Sequence, residues 1–144
     1  MAVVERTVTV STPLSKVWPY VADFTTTEEW DPPTVTTRRT SGDGGVGTTY
    51  VNVSRILGTE QEVHYRVVRC EASSVLELEG DAGSVQLHDT IHFASTPEGG
   101  TEVTYRAEFK PTGVAKLAAP LLPLALKLLG DRVAQSLAAS LERL

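Results

Sequence analysis

Two ionisable side chains fall where strand alternation places apolar ones, and they are the residues of this chain best set to do chemistry. Between Thr49 and Leu57 the apolar face is Val51, Val53 and Leu57, which puts Arg55 on it; between Val85 and Phe93 the set Val85, Leu87, Ile91 and Phe93 shares its face with Asp89. A buried charge left alone is costly, so an inward arginine and aspartate must be paired, hydrated or lining a cavity mouth. In a cavity they would orient a carbonyl or carboxylate, the guanidinium as electrophile and the carboxylate as base. The other arrangement is a salt bridge at the sheet end, or a β-bulge that turns Arg55 outward. Tyr65 and Tyr105 add phenols to the same inner surface, able to bond a ligand or to serve as core tyrosines bonded to backbone or water.

Other chemistries lack their residues. His88 and His92 share a face, but four residues along a strand hold them about 13 Å apart, too far for one metal ion, and both point outward, as does His64. No cysteine pair or HExxH motif is present, so no metal site is expected. No GxSxG marks a serine nucleophile. The glycine run Ser41 to Gly47 is not followed by Gly-Lys-Ser/Thr or a helix, so it is a hairpin or entrance loop rather than a phosphate cradle, and no nucleotide cofactor is implied. Cys70 is alone and forms no internal disulfide. Trp30, before Pro32-Pro33, either gates a pocket or caps the core.

The elements that position these residues follow from periodicity. Val3 to Val10 alternates and is β-branched, a strand. Ser11 or Thr12 is set to cap a helix carrying Leu14, Val17, Trp18 and Val21, with Pro13 in its first turn and Pro19 inside. Asp23 to Trp30 is a loop or short second helix. From Thr34 onward, turn signals divide six strands with no helix between them, which disfavours a parallel α/β sheet. Their inward sets are Val51, Val53 and Arg55; Val63, Tyr65 and Val67; Leu76 and Leu78; Leu87, Asp89 and Ile91; and Val103, Tyr105, Ala107 and Phe109.

The last quarter differs in kind. Val114 to Leu129 carries only Lys116 and Lys127, is broken by Pro120 and Pro123, and is apolar nearly all round. It is too short to span a bilayer, which takes about 20 apolar residues. It reads as the start of a long C-terminal helix clamped on a curved sheet, continuing amphipathically from Asp131 to Leu144, with Leu121, Leu122, Leu124, Ala125, Leu128, Leu129, Val133 and Leu137 as its core side. Trp30, the inward strand residues, and Leu121, Leu122, Ala125 and Leu129 then line a cavity, expected to measure a few hundred Å³.

At 144 residues, with 41% apolar and 22% charged residues, the chain fits one α+β domain over residues 1–144. A net charge of -5 gives no electrostatic basis for nucleic-acid binding. Met1 to Arg6 lacks the pattern of a signal peptide, and two lysines are too few for a basic membrane anchor, so a cytoplasmic protein without stable membrane insertion, monomeric or homodimeric, is expected.

Several landmarks recur in order: the opening strand followed by Ser11-Thr12-Pro13-Leu14-Ser15-Lys16-Val17-Trp18, Trp30 before Pro32-Pro33, Val46-Gly47-Thr48-Thr49-Tyr50, and the last strand Gly100-Thr101-Glu102-Val103-Thr104-Tyr105. Over its whole length the chain resembles the polyketide cyclase/dehydrase-like families of the START and Bet v 1-like (SRPBCC) superfamily. The resemblance implies a helix-grip fold: a seven-stranded antiparallel sheet curved around a long C-terminal helix, with one or two short helices after the first strand. It implies binding of a hydrophobic lipid, sterol or polyketide-like molecule between sheet and helix. It leaves two alternatives: an aromatase/cyclase without metal or nucleotide cofactor, using Arg55, Asp89, Tyr65 and Tyr105, and a toxin- or stress-related regulator that acts through a protein partner.

Overall fold

A computed structural model describes residues 1–56, 58–112 and 122–144. Strand β1 (Ala2–Val10) leads into α1 (Leu14–Ala22), a 3-10 turn (Phe24–Thr26) and α2 (Thr27–Trp30). Six strands follow: β2 (Thr34–Ser41), β3 (Thr49–Ile56), β4 (Thr59–Glu71), β5 (Val75–Asp81), β6 (Val85–Ser95) and β7 (Thr101–Pro111); α3 (Leu122–Glu142) comes last. All seven strands join one sheet in the order β1-β7-β6-β5-β4-β3-β2, every pair antiparallel. This is the helix-grip arrangement that the family resemblance implies, with the antiparallel strands that alternation predicts. Leu121 lies outside the described residues, as do Val114 to Pro120, while Leu122 opens α3.

The inner face of the sheet carries Val63, Tyr65, Val67, Leu76, Leu78, Ile91, Val103 and Ala107, all buried. Against it lie Val17 and Val21 of α1, Phe24, Trp30, and the α3 stripe Leu126, Val133, Leu137 and Leu141. That stripe recurs at helical spacing. Leu124 and Leu128, expected in the core, are 69% and 60% exposed, because the face turned to the sheet passes through Leu126 and Gly130 instead. Gly130 lets α3 approach β1 closely: a Cβ there would stand 2.6 Å from Val4 Cγ1.

Ser11 and Thr12 do not cap α1, whose N-cap is Pro13 with no side-chain bond. They hold the far end of α3 instead. The Ser11 amide and hydroxyl donate to the Glu142 carboxylate at 2.7 and 2.6 Å, and the Thr12 hydroxyl donates to the Leu141 carbonyl at 2.6 Å. The Thr12 hydroxyl satisfies a carbonyl that the end of a helix leaves open, and the two Ser11 donors hold the Glu142 carboxyl below its ordinary range. Arg6 donates to Asp131 at 3.0 Å and to the Lys127 carbonyl at 3.2 Å, tying β1 to the same helix.

The main departure from the alternation is in β3. Tyr50, Asn52 and Ser54 are the buried set, opposite Tyr65, Val63 and Gln61, so Val51, Val53 and Arg55 face outward. The polar residues go in because partners wait there. Asn52 Nδ2 donates to Thr37 Oγ1 at 2.8 Å and to Thr34 Oγ1 at 3.1 Å; Ser54 Oγ donates to Asn52 Oδ1 at 2.6 Å; Thr27 and Thr37 share a hydroxyl bond of 2.6 Å. A fully bonded polar ladder sits inside without penalty. Arg55 is exposed, with Glu60 at 4.0 Å as its ion-pair partner among the described residues, so it does not take the inward position expected of an electrophile.

Candidate functional site

Between sheet and α3 lies a cavity of about 50 Å³. Its apolar wall is Val4, Val63, Leu87, Ala107, Phe109, Leu129 and Val133, with Pro33 and Gly130; its polar wall is Asp31, Ser54, Tyr65 and Tyr105. The volume suits a few waters, not the few hundred Å³ expected. Aromatic residues fill the difference. Phe24 packs edge-on against Tyr65 at 5.1 Å and Trp30 at 6.4 Å between ring centres, and Trp30 against Tyr105 at 5.9 Å. Trp30 is 1% exposed, with Nε1 donating to Thr26 Oγ1 at 3.1 Å, and packs within the core. Beyond Phe24 and Tyr50 lies a separate open cleft of about 330 Å³, bordered by Trp18, Arg39, Asp43 and Cys70.

The residues expected around a ligand thus divide. Val63, Tyr65, Leu87, Tyr105, Ala107, Phe109 and Leu129 line the cavity. Val67, Leu76, Leu78 and Ile91 are solid core, and Ala125 is half-buried on α3 away from the cavity wall. Val51 and Val53 are on the other face of the sheet, and Leu121 lies outside the described residues. Asp31 and Ser54 were not anticipated. Asp31 has a signal in retrospect: it precedes Pro32-Pro33, which favours the extended backbone it adopts (φ -107°, ψ 101°) and fixes its carboxyl at the end of α2.

The tyrosine at the centre is accommodated by a missing side chain. Gly80 pairs with Tyr65 across β4 and β5, and a Cβ at Gly80 would lie 2.7 Å from the Tyr65 ring. Glycine here leaves room for the phenol to lean over the sheet toward the cavity.

Asp89 is the electrostatic centre. It is 2% exposed on β6, and its Oδ1 has no hydrogen-bond partner. Burial, reinforced by the charge of Asp31, pushes its carboxyl up to about 8; the Tyr65 hydroxyl works weakly the other way. Burial likewise pushes Asp31 up to about 6, opposed by the Thr34 hydroxyl that donates to it at 2.6 Å. At neutral pH Asp89 is therefore mainly a proton donor and Asp31 mainly a carboxylate. Burial first, then the nearby acids, drive the phenols of Tyr65 and Tyr105 well above their ordinary range, so both stay protonated donors. Asp31 and the two phenols line one small, mostly apolar space, while Asp89, expected on its wall, is buried beside it, paired across the sheet with the lining Ala107; perturbed groups gathered in this way are found at functional sites.

The histidines lie on the outer face. His64 contacts Glu62 at 2.9 Å, and His88 is held between Glu77 and Glu108. Among the described residues no three His, Cys, Asp or Glu side chains are arranged to hold a metal ion. No described helix is long and apolar enough to cross a membrane.

Known structures share this architecture at low sequence identity. The Zhui aromatase/cyclase from Streptomyces sp. R1128 superposes with a TM-score of 0.83 at 17% identity, over 98% of this chain and 93% of that one. A START superfamily protein from Mycobacterium smegmatis does so at 0.79 and 13% identity, over 98% and 97%. The di-domain aromatase/cyclase StfQ of the steffimycin pathway matches at 0.64 and 20% identity, over 96% of this chain and 44% of its own. No curated protein sequence matches significantly. The family model described as polyketide cyclase / dehydrase and lipid transport matches residues 1–142. The fold is START/Bet v 1-like, and the chain belongs to the polyketide cyclase / dehydrase and lipid transport family.

Proposed function

We propose that the protein binds a small hydrophobic molecule, of lipid, sterol or polyketide type, between the sheet and α3. The observation that carries this reading is the cavity itself: a mostly apolar space between sheet and helix whose polar wall is Asp31, Ser54, Tyr65 and Tyr105. A ligand with one hydrogen-bonding head would find partners on this polar wall, while its apolar part would meet Val63, Leu87, Ala107, Phe109, Leu129 and Val133. The present space takes only a small group, so a larger ligand needs the cavity to widen on binding. Native mass spectrometry of freshly purified protein should find a co-purified hydrophobic compound. Titration with the neutral dye Nile red should saturate, and Ala107→Leu, which fills the cavity from the sheet side, should weaken binding roughly tenfold or more while the melting curve stays cooperative. Unchanged dye binding in folded Ala107→Leu would place binding elsewhere.

A catalytic reading is favoured by one observation: Asp89 and Asp31 are held on opposite sides of neutrality beside two phenols. In a cyclase or dehydratase, Asp31 would remove a proton and Asp89 would donate one to a departing hydroxyl, with Tyr65 and Tyr105 bonding the carbonyl. Arg55 has no part in it. Water loss from a β-hydroxyketone probe that persists in Asp31→Asn would rule out this assignment.

A further inference from the structure

The polar ladder beneath β2 and β3 has a fixed direction of donation, and it begins and ends on residues of the cavity wall. Asn52 commits its two amide hydrogens to Thr37 Oγ1 at 2.8 Å and Thr34 Oγ1 at 3.1 Å. Thr34 therefore accepts from Asn52 and gives its single proton to Asp31 Oδ2 at 2.6 Å. Ser54 gives its own proton to Asn52 Oδ1 at 2.6 Å. On the other branch the Thr27 hydroxyl donates to the Phe24 carbonyl at 2.8 Å, so in the 2.6 Å bond between Thr27 and Thr37 it is Thr37 that donates. Turning the Asn52 amide over would set two acceptors, Asn52 Oδ1 and the Asp31 carboxylate, around the one proton of Thr34, which fixes the amide as described.

Ser54 and Asp31 both line the cavity, and the ladder has already taken the Ser54 proton. What Ser54 Oγ can offer any further partner is a lone pair. We propose that Ser54 is a specificity-determining residue of the cavity, and that the hydrophobic ligand it selects carries a hydroxyl head rather than an ether or a ketone. The inference rests on the cavity being the binding site. A space of about 50 Å³ has room for a few waters, which a bound head displaces. Water can donate to Ser54; a head that replaces it without a donor leaves a buried acceptor unpaired, at the full desolvation cost. The phenols of Tyr65 and Tyr105 on the same wall can donate to any oxygen. An ether or a ketone uses only them. A hydroxyl accepts from a phenol and donates to Ser54, so it serves both kinds of group at once.

The test is competition against Nile red bound to the intact protein, with hexan-1-ol, 1-methoxypentane and hexan-2-one as competitors. These share one carbon and oxygen count and differ in whether the oxygen carries a proton. Hexan-1-ol should displace the dye at roughly tenfold lower concentration than either of the others. Ser54→Ala should bring the three to within about threefold of one another, because the acceptor is gone while the phenols remain. A loss of packing alone would weaken all three alike and leave their ratio standing. Should that variant fail to fold, Ser54→Cys, which keeps the shape and offers only a weak acceptor, is read in the same way. The ether or the ketone competing as well as the alcohol for the native protein, or a folded Ser54 variant that keeps the tenfold preference, overturns the hydroxyl preference and leaves the cavity reading standing. Nile red that fails to bind, or that binds folded Ala107→Leu unchanged, overturns the cavity reading instead.

Discussion

The carboxyl of Asp89 should make this protein less stable as pH rises, and the size of the effect can be worked out. An unfolded aspartate titrates near 3.8, and the native one is pushed up to about 8. Between those values the native state holds one proton more than the unfolded state, so stability falls with rising pH by about 1.4 kcal/mol per unit. Over roughly four units the loss is on the order of 5 kcal/mol, complete above about pH 9. That is a large share of the 5–15 kcal/mol typical of a domain. Asp31 adds a loss in the same direction in a lower window, between about pH 4 and 6, since it too is raised. Asp89→Asn keeps the shape and removes the charge. Urea unfolding at pH 5, 7 and 9 should show the native protein losing midpoint steadily, while the variant changes little above pH 7 and is several kcal/mol the more stable at pH 9. Parallel pH profiles for the two proteins would refute the reasoning, because the buried carboxyl would then not be the group that titrates.

Further outcomes follow from other contacts. Gly80→Ala should cost about 1–3 kcal/mol by urea unfolding and disturb the Tyr65 ring signals in NMR, because the added carbon meets that ring. Thr37→Val should cost about 1–3 kcal/mol, since it removes a hydroxyl that serves both Thr27 and Asn52. Arg55→Ala should change stability by less than about 0.5 kcal/mol and leave Nile red affinity unaltered, as expected of an exposed side chain 4.0 Å from its partner.

Strand order and the sheet–helix grip were legible because hydropathy alternates cleanly where one face is buried and the other wet, as in β7 with Val103 and Ala107 inward and Glu102 and Lys110 outward. Asp89, Tyr65 and Tyr105 were found by the same rule, as polar groups on an apolar face. The rule failed in β3 because both faces there are mixed. Asn52 and Ser54 look like solvent residues until Thr34 and Thr37 of the next strand are set beside them, and pairing between strands is invisible to a single-strand pattern. Cavity size failed for a related reason. Phe24, Trp30, Tyr50, Tyr65 and Tyr105, scattered along the sequence, are gathered at one place and fill it. Composition counts residues without locating them. Ser11 and Thr12 were misread because their partner, α3, is at the opposite end of the chain.

The pairing of β1 has a consequence for how the molecule comes to be folded at all. During synthesis β1 emerges first, but within the sheet its neighbour is β7, and its inner face is covered by α3, made last. The remaining strands can zip up sequentially as hairpins on the ribosome, from β2 onward. β1 must meanwhile wait as an unpaired, β-branched segment with an open edge, the kind of surface that recruits strands from other chains. Closure of the first strand on the last elements is therefore the late, long-range step. Aggregation during expression should be governed by how long β1 stays uncovered, and shielding of nascent chains by a chaperone should matter more for this protein than for a helical bundle of equal length.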